Sequence, residues 1–148
     1  MTKQFHPEVL AHLSPREKVG IEIHTNGKVH RSSLQFVVHE GNLYIRSARK
    51  DNAPWYKNLR ANANADLHIG RWRIPIRAVV VEDDETLVRV SEHYAQKYGY
   101  MLPAATRTMI HDDVTPTTLR IEPVDVESTS DDTRNTILAG RRRRASAS

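Results

Sequence analysis

Apolar and polar residues alternate along much of the chain with a period of two, which is typical of half-buried β-strands. The pattern predicts five or so antiparallel strands, at 20–25, 28–38, 43–47, 67–69 with 73–82, and 117–122. The segments between neighbouring strands contain Gly and Asn, which favour hairpin connections. We therefore expect a mainly β domain of the α+β class.

One turn determines how the first two strands pair. Asn26-Gly27 is the strongest short hairpin signal, because both residues of a two-residue loop take positive φ. A loop of this length places Glu22 opposite Arg31 and Ile23 opposite His30. The even positions of the second strand then face the core, and its odd positions, including Arg31, point outward.

Helical periodicity and capping residues predict two or three helices beside the sheet. A first helix is expected at 7–13, where Pro suits the first helical position, and another at 53–61. The longest helix, 85–98, has apolar residues at i, i+3, i+4 and i+7 spacing and ends at Gly99. Residues 100–115 predict a loop with a short helical turn.

Length and charge indicate how the chain is divided. It has 148 residues and no cysteine, which predicts one domain without disulfides. Much of its net charge of +4 lies at the C-terminus, because residues 128–148 contain five Arg and two Asp. We interpret 1–127 as one nearly neutral domain and 128–148 as a disordered basic tail. A nucleic-acid partner is not expected, since a domain that binds nucleic acid carries excess positive charge on its fold.

The hydropathy pattern also bears on location. The longest apolar run, 78–81, is too short to cross a bilayer, and the N-terminal segment has no apolar signal-peptide core. These features predict a soluble, cytoplasmic protein that does not bind membranes.

Motifs for metal binding and catalysis are weak in this sequence. His24 and His30 fall on opposite faces of the predicted hairpin, so no metal site is predicted. No G-x-S-x-G, P-loop or G-x-G-x-x-G motif is present. The catalytic residues are therefore unknown, with Tyr56, Tyr98 and His30 as the candidates for an acid or base.

A group of cations and hydroxyls lies where the third strand ends and the second helix begins. A helix N-terminus has free N–H groups that suit a phosphate, and two outward residues of the adjoining strand extend the group. The set comprises Arg31, Ser33, Arg46, Ser47, Arg49 and Lys50. Trp55 and Tyr56 follow directly and could cover a planar ring. The residues alone equally allow that the cations are solvated and that Trp55 packs in the core.

Several motifs carry a resemblance to a known family. Residues 43–47, 53–62 (A-P-W-Y-K-N-L-R-A-N), 70–78 (G-R-W-R-I-P-I-R-A), 97–99 and 117–123 together resemble the FMN-binding split β-barrel superfamily. They are most similar to deazaflavin-dependent nitroreductase-type members and to a domain-of-unknown-function family within that superfamily. The resemblance covers about residues 20–123, so it implies that 1–127 is a split-barrel domain, antiparallel with flanking helices.

The resemblance also implies a ligand and its contacts. Members of the superfamily are typically homodimers that bind FMN or a deazaflavin coenzyme in the dimer cleft, with the phosphate bound by Arg, Lys and Ser. The implied phosphate contacts are Arg31, Ser33, Arg46, Ser47, Arg49 and Lys50, and Trp55, Tyr56 and Asn58 are implied near the ring or its tail. The implied function is a flavin- or deazaflavin-binding oxidoreductase-like protein of unknown substrate.

Two other functions stay open at this stage. The same cleft could serve a non-catalytic protein that binds a small anionic ligand without a redox cofactor. A nucleic-acid accessory protein acting through the Arg-rich tail is less favoured, because four charges supply only weak, salt-sensitive affinity.

Strand alternation further predicts exposed apolar side chains. Val29, Val37, Tyr44 and Trp72 are all expected to point outward. So much apolar surface is unusual for a monomer, and it predicts a homodimer with a two-fold axis.

Overall fold

The computed structural model describes residues 4–62 and 64–124. The predicted basic tail, 128–148, lies outside the described residues, as does the predicted domain end at 127. Over the described part of the chain, seven strands form one antiparallel sheet with four α-helices beside it. The α+β class is therefore confirmed, although the strand count exceeds the five or so expected and the helices exceed two or three.

The elements alternate along the chain. The strands are β1 (Lys18–Thr25), β2 (Lys28–Gln35), β3 (Val37–His39), β4 (Asn42–Ile45), β5 (Asn64–Ile69), β6 (Trp72–Val80) and β7 (Leu119–Pro123). The helices are α1 (Pro7–Leu13), α2 (Pro54–Ala61), α3 (Asp84–Tyr98) and α4 (Pro103–Met109), with 3₁₀ turns at Lys50–Asn52 and Thr115–Thr117. The strand order is β2-β1-β5-β6-β7-β4-β3, so β2 and β3 lie at opposite edges of the sheet. Within the described ranges, no helix has both the length and the apolar character needed to cross a bilayer.

The first hairpin has the predicted register. Asn26 and Gly27 take φ values of 47° and 80°, as a tight two-residue turn requires. Glu22 pairs with Arg31 and Ile23 pairs with His30, as expected. The two-residue turn therefore correctly predicted the register of β1 and β2.

The predicted long strand 28–38 is wrong, because the chain breaks at Phe36 into β2 and β3. The Phe36 N–H donates to the Tyr98 hydroxyl (3.1 Å), and that hydroxyl lies 2.7 Å from the carbonyl oxygens of both Phe36 and Glu17. Lys97 Nζ donates to the same Phe36 carbonyl at 3.2 Å. The end of α3 thus satisfies the backbone groups that the sheet leaves unpaired at the break.

Two apolar cores lie on opposite sides of the sheet. The inner core collects the inward residues of the strands together with α1 and α2, including Ile21, Leu43 and Ile76. A second core lies between the outer face of β3 and β4 and the helices α3 and α4. It contains Val37, Tyr44, Val81, Val90, Tyr94, Tyr98, Met109 and Val114.

The second core corrects the expected outer surface. Val37 and Tyr44 point away from the inner core, as their strand positions predicted, but both are buried beneath α3 and α4. Of the four residues expected to point outward, Trp72 is half-buried against the inner core and Val29 is exposed. The outward positions of the other five strands carry mainly polar side chains.

Candidate functional site

A cavity of about 380 Å³ lies where the ends of β1 and β2 meet the segment after β4 and one side of α4. This volume falls within the range of small-molecule sites. The sheet contributes Lys18, Ser33, Leu34 and Gln35. The connecting segment contributes Arg46, Ala48, Arg49, Ala53, Pro54 and Trp55, and α4 contributes Ala105, Thr108 and Met109. We refer to this cavity as the pocket.

Four of the nine predicted ligand contacts line the pocket: Ser33, Arg46, Arg49 and Trp55. The other five do not: Arg31, Ser47, Lys50, Tyr56 and Asn58. The structure therefore places about half of the predicted set around one pocket. The ligand-binding role of all nine residues stays a prediction.

Arg46 is not the exposed cation that the sequence predicted. Its side chain is only 1% exposed, because α3 and α4 cover this part of the outer face. The guanidinium donates to Thr118 Oγ1 (2.7 Å), Ser91 Oγ (2.8 Å) and the carbonyls of Leu87 (2.9 Å) and Met109 (3.0 Å). Burial lowers the pKa of Arg46 to about 10, so the group remains charged at neutral pH. Arg46 therefore links β4 to both outer helices from beneath the pocket.

Ser47 and Lys50 have other partners. Ser47 is buried, its N–H donates to Thr117 Oγ1 (2.9 Å), and its hydroxyl donates to the Lys50 carbonyl (2.8 Å). The Lys50 ammonium is 3.8 Å from a carboxylate oxygen of Asp113. The Ser47 contacts stabilise the turn that precedes α2, while the Lys50 side chain remains half exposed.

The aromatic pair at the start of α2 divides between core and pocket. Trp55 lines the pocket and also packs against the inner core, so both expectations for this side chain hold in part. Tyr56 is buried in the core, and its hydroxyl accepts a hydrogen bond from Arg60 (2.9 Å). Asn58 lies further along α2, half-buried.

The three candidate acids or bases also lie outside the pocket lining. The Tyr56 hydroxyl accepts a hydrogen bond from Arg60, and the Tyr98 hydroxyl accepts one from the Phe36 N–H at the break between β2 and β3. The ring of His30 is 2.7 Å from the Thr25 hydroxyl on the first hairpin.

Sequence reasoning missed part of the pocket wall. Lys18 pairs with Gln35 in the hairpin register, so extending the predicted pairing backward by two residues would have found both. The wall that α4 supplies, including Thr108 and Met109, had no comparable signal, because nothing local indicates where a short helix packs.

The pocket is positive and partly apolar. It is lined by the cations Lys18, Arg46 and Arg49, and none of its described lining residues is acidic. Ser33 and Gln35 add polar groups, while Leu34 and the aromatic face of Trp55 add apolar surface. Such a lining suits an anionic ligand that also has a flat, apolar part.

The fold is similar to that of solved split-barrel proteins. A structure described as an F₄₂₀-H₂ dependent reductase aligns over 72% of this chain and 95% of its own, with a TM-score of 0.56 and 19% identity. HutZ, the heme storage protein from Vibrio cholerae, aligns over 82% and 92%, with a TM-score of 0.58 and 17% identity. A third structure, described as a domain-swapped dimer, aligns over 72% and 81%, with a TM-score of 0.54 and 20% identity. These likenesses confirm the split β-barrel fold that the resemblance implied.

One curated protein is similar in sequence over a shorter stretch. It is the Mycobacterium tuberculosis protein named "Putative F₄₂₀H₂-dependent quinone reductase Rv3178", with 32% identity over 63 residues. The match covers 40% of this chain and 53% of that protein, so the chain spans about half the length of the relative.

A longer match comes from a protein family. Residues 10–121, which include all seven strands except the end of β7, match the family described as "Uncharacterized protein conserved in bacteria (DUF2255)". The resemblance to a domain-of-unknown-function family is thereby confirmed, and the chain belongs to the DUF2255 family.

Proposed function

We propose that the protein binds a deazaflavin coenzyme in the pocket and acts as an oxidoreductase on a small organic substrate. The observation that carries the proposal is the lining of the pocket, where Lys18 and Arg49 lie beside Trp55 and no described lining residue is acidic. The curated relative, named for its dependence on F₄₂₀H₂, favours a deazaflavin over FMN as the ligand.

The lining residues fit such a coenzyme, which combines a planar ring with a phosphorylated chain. Lys18 and Arg49 would bind the phosphate through charge-assisted hydrogen bonds, with Ser33 as a neutral donor. Trp55 would cover the ring, and Leu34 and Met109 would exclude water from it. Arg46 would contribute its positive charge from beneath the pocket.

The side chains that line the pocket indicate which part of the chemistry the protein itself would supply. When bound, the coenzyme supplies hydride transfer, and the protein supplies binding and orientation. The described lining has no carboxyl, imidazole or phenol group, so this chain's own residues would position the ligand rather than exchange protons with it.

We also propose that the protein is a homodimer. The solved neighbour described as a domain-swapped dimer supports this assembly for the fold. A second copy would supply the wall that the pocket lacks on its solvent side.

A fluorescence titration of the full-length protein with the oxidised deazaflavin coenzyme, and in parallel with FMN, tests the ligand. We expect the deazaflavin to bind more tightly. Arg49→Ala should weaken its binding about tenfold to a hundredfold, because a charge-assisted hydrogen bond contributes roughly 1.5–3 kcal/mol. Arg71→Ala is the matched control, since this exposed arginine lies on the β5–β6 turn outside the pocket lining.

The outcomes separate the candidate functions. Equal affinity in wild type, Arg49→Ala and Arg71→Ala would contradict the proposed site. Coenzyme binding without oxidation of the reduced coenzyme by a panel of small quinones and nitro compounds would contradict the proposed oxidoreductase activity. Binding of small phosphorylated ligands but of neither coenzyme would favour the non-catalytic alternative without a redox cofactor.

A further inference from the structure

Two histidines meet where α3 packs on the edge strand β3. His39 is the last residue of β3, and His93 lies on α3, 54 residues further along the chain. His39 Nδ1 and His93 Nε2 are 2.9 Å apart, and the ring centroids are 4.9 Å apart with a tilt of 54°. The rings therefore face each other through their nitrogens. Because only the fold brings them together, sequence spacing gave no indication of the pair.

Both imidazoles can present a lone pair to the space between them. Glu40 Oε1 lies 3.8 Å from His39 Nε2, the ring nitrogen on the far side from His93. A carboxylate in that position favours a proton on Nε2, which leaves Nδ1 free to act as a ligand. Burial, together with the charge of His39 when it is protonated, lowers the pKa of His93, so this ring is neutral at pH 7. Neutral imidazole is the form that binds metal ions.

The separation of the two nitrogens indicates which ions fit between them. Two metal–imidazole bonds of about 2.0–2.1 Å that meet at a right angle place their nitrogens roughly 2.8–3.0 Å apart. The tetrahedral angle that Zn²⁺ prefers would separate them by roughly 3.3–3.4 Å. The observed 2.9 Å therefore suits ions that take ligands at right angles, such as Cu²⁺ and Ni²⁺.

A further polar group lies beside the pair on the same face of the sheet. Asn42 is directly opposite His39 in the pairing of β3 with β4, and cross-strand partners project from the same face. Its Oδ1 is buried and has no hydrogen-bond partner among the residues that the structure describes. Buried polar atoms are rarely left unpaired, so this oxygen is available to a ligand.

The surroundings of the pair are negative and partly open. His39 is 19% exposed and Glu40 is 80% exposed, so water can reach the site. Glu92 precedes His93 and its charge acts on that ring, although it also pairs with Arg89 (2.9 Å). Such an environment favours a cation over an anion.

A second group of histidines and carboxylates, on the outward side of β1 and β5, is less suited to a metal. Glu22 Oε2 lies 3.0 Å from His24 Nε2, but its Oε1 accepts hydrogen bonds from Arg31 (2.9 Å) and Arg73 (3.4 Å) and contacts His68. Burial raises the pKa of Glu22, but the hydrogen bonds from Arg31 and His68 and the charge of Arg73 outweigh burial and lower the pKa to about 2. The two guanidiniums already neutralise this carboxylate and would repel a dication.

We propose that His39 and His93 bind one Cu²⁺ or Ni²⁺ ion, with water completing the coordination and Asn42 Oδ1 available as a third protein ligand. Within residues 4–62 and 64–124, no group of three or more His, Asp or Glu side chains is arranged to hold a metal ion, so the site depends on the two imidazoles. The ion would link the edge strand β3 to α3 across the second core. Neither histidine lines the pocket, so the site is separate from the proposed coenzyme site.

Isothermal titration of the full-length, untagged protein with Ni²⁺ tests the proposal. We expect saturable binding of one ion per chain. Even the outer-shell partners of metal ligands account for about 10–100-fold in affinity, so His93→Gln, which removes a ligand, should weaken binding at least about tenfold. His111→Gln is the matched control, because this histidine is 62% exposed and contacts Asp113 instead of the pair. It should change the affinity less than about twofold.

A second measurement on the wild-type protein does not depend on the folding of any variant. Pulsed EPR with less than one equivalent of Cu²⁺ detects the remote ring nitrogens of coordinated imidazoles, and we expect two imidazoles on the ion. The absence of saturable Ni²⁺ binding would show that the rings share only a hydrogen bond, and it would overturn the proposal.

Three other results would also overturn it. These are a Cu²⁺ signal with fewer than two imidazoles, equal affinities of His93→Gln and His111→Gln, and binding that is lost in His24→Gln but kept in His93→Gln. The last result would place the ion beside Glu22. The coenzyme titration with Arg49→Ala reports on the pocket alone, so failure of the metal site and failure of the coenzyme site remain distinguishable.

Discussion

Arg46 carries its charge in the interior, and all four of its hydrogen bonds go to neutral oxygens. The donors of one guanidinium satisfy acceptors on α3, at the end of α4 and just before β7. One of those acceptors, the Met109 carbonyl, lies in the last turn of α4 and has no partner within its own helix. A buried charge without a carboxylate is tolerable here because nearly every donor is used.

We predict that Arg46→Ala lowers the free energy of unfolding by about 3 kcal/mol or more. Hydrogen bonds to a charged donor contribute roughly 1.5–3 kcal/mol each, and several acceptors would be left buried and unpaired. Urea unfolding measures the effect. Arg49→Ala is the control and should change stability by less than about 0.5 kcal/mol, because its side chain is exposed. Equal stabilities of the two variants would show that the guanidinium does not link the helices to the sheet.

Glu22 makes stability depend on pH in a defined direction. Its pKa falls from 4.5 to about 2 in the folded protein, so the folded state binds fewer protons than the unfolded state between these values. The stabilisation is present above about pH 4.5 and is lost as the pH falls toward 2. We predict that Glu22→Gln is less stable than wild type at pH 7 and that the difference narrows between pH 5 and pH 3. A difference in urea unfolding that is constant with pH would contradict this assignment.

At the scale of elements, the end of α3 supports the point where β2, the second strand of the first hairpin, stops. Tyr98 and Lys97 satisfy the backbone of Phe36, and the chain continues as β3 at the opposite edge of the sheet. Burial raises the pKa of Tyr98 to about 12, so its hydroxyl keeps its proton and can donate. The helix therefore contributes to the topology through one hydroxyl and one ammonium group.

Tyr98→Phe should remove that support with little change in shape. We predict a loss of about 1–3 kcal/mol in unfolding free energy, because the Phe36 N–H would be left buried without a partner. Hydrogen exchange at the Phe36 amide should accelerate as well. Tyr100→Phe is the matched control, since Tyr100 is 96% exposed, and it should change neither quantity. Unchanged exchange at Phe36 in Tyr98→Phe would mean that the break forms without the hydroxyl.

How much of the fold could be predicted depended on whether the deciding contacts were local. The Asn26-Gly27 turn determined the first register, and Asp83 and Gly99 marked the ends of α3. The break at Phe36 could not be predicted, because its partner Tyr98 is 62 residues away.

The candidate site shows the same limit. Alternation correctly placed Arg46 on the outer face of β4, but it cannot tell whether a helix covers that face. The residues that reach the pocket, such as Ser33 and Arg49, lie where a strand end and a connecting segment are both exposed. The wall from α4 depended on long-range packing that no local pattern indicates.

At the scale of the whole molecule, the exposed apolar side chains are not the ones that the alternation of apolar and polar residues in the strands predicted. Val37 and Tyr44 are buried in the second core. The turn between α3 and α4 instead exposes three consecutive apolar side chains, Tyr100 (96%), Met101 (70%) and Leu102 (40%). This turn leads directly into α4, three of whose residues line the pocket. An assembly through this turn would therefore place a second copy next to the ligand site.

We predict that the full-length chain sediments as a homodimer of twice its 16.9 kDa mass at micromolar concentration. Met101→Asp should raise the dimer dissociation constant about tenfold or more, because burying an unpaired carboxylate in an apolar contact is costly. Val88→Asp is the control, since Val88 is an exposed apolar residue (51%) within α3 and outside the turn. Sedimentation equilibrium measures all three proteins. A wild-type mass of one chain would contradict the homodimer, and equal dissociation constants for the two variants would place its interface away from the α3–α4 turn.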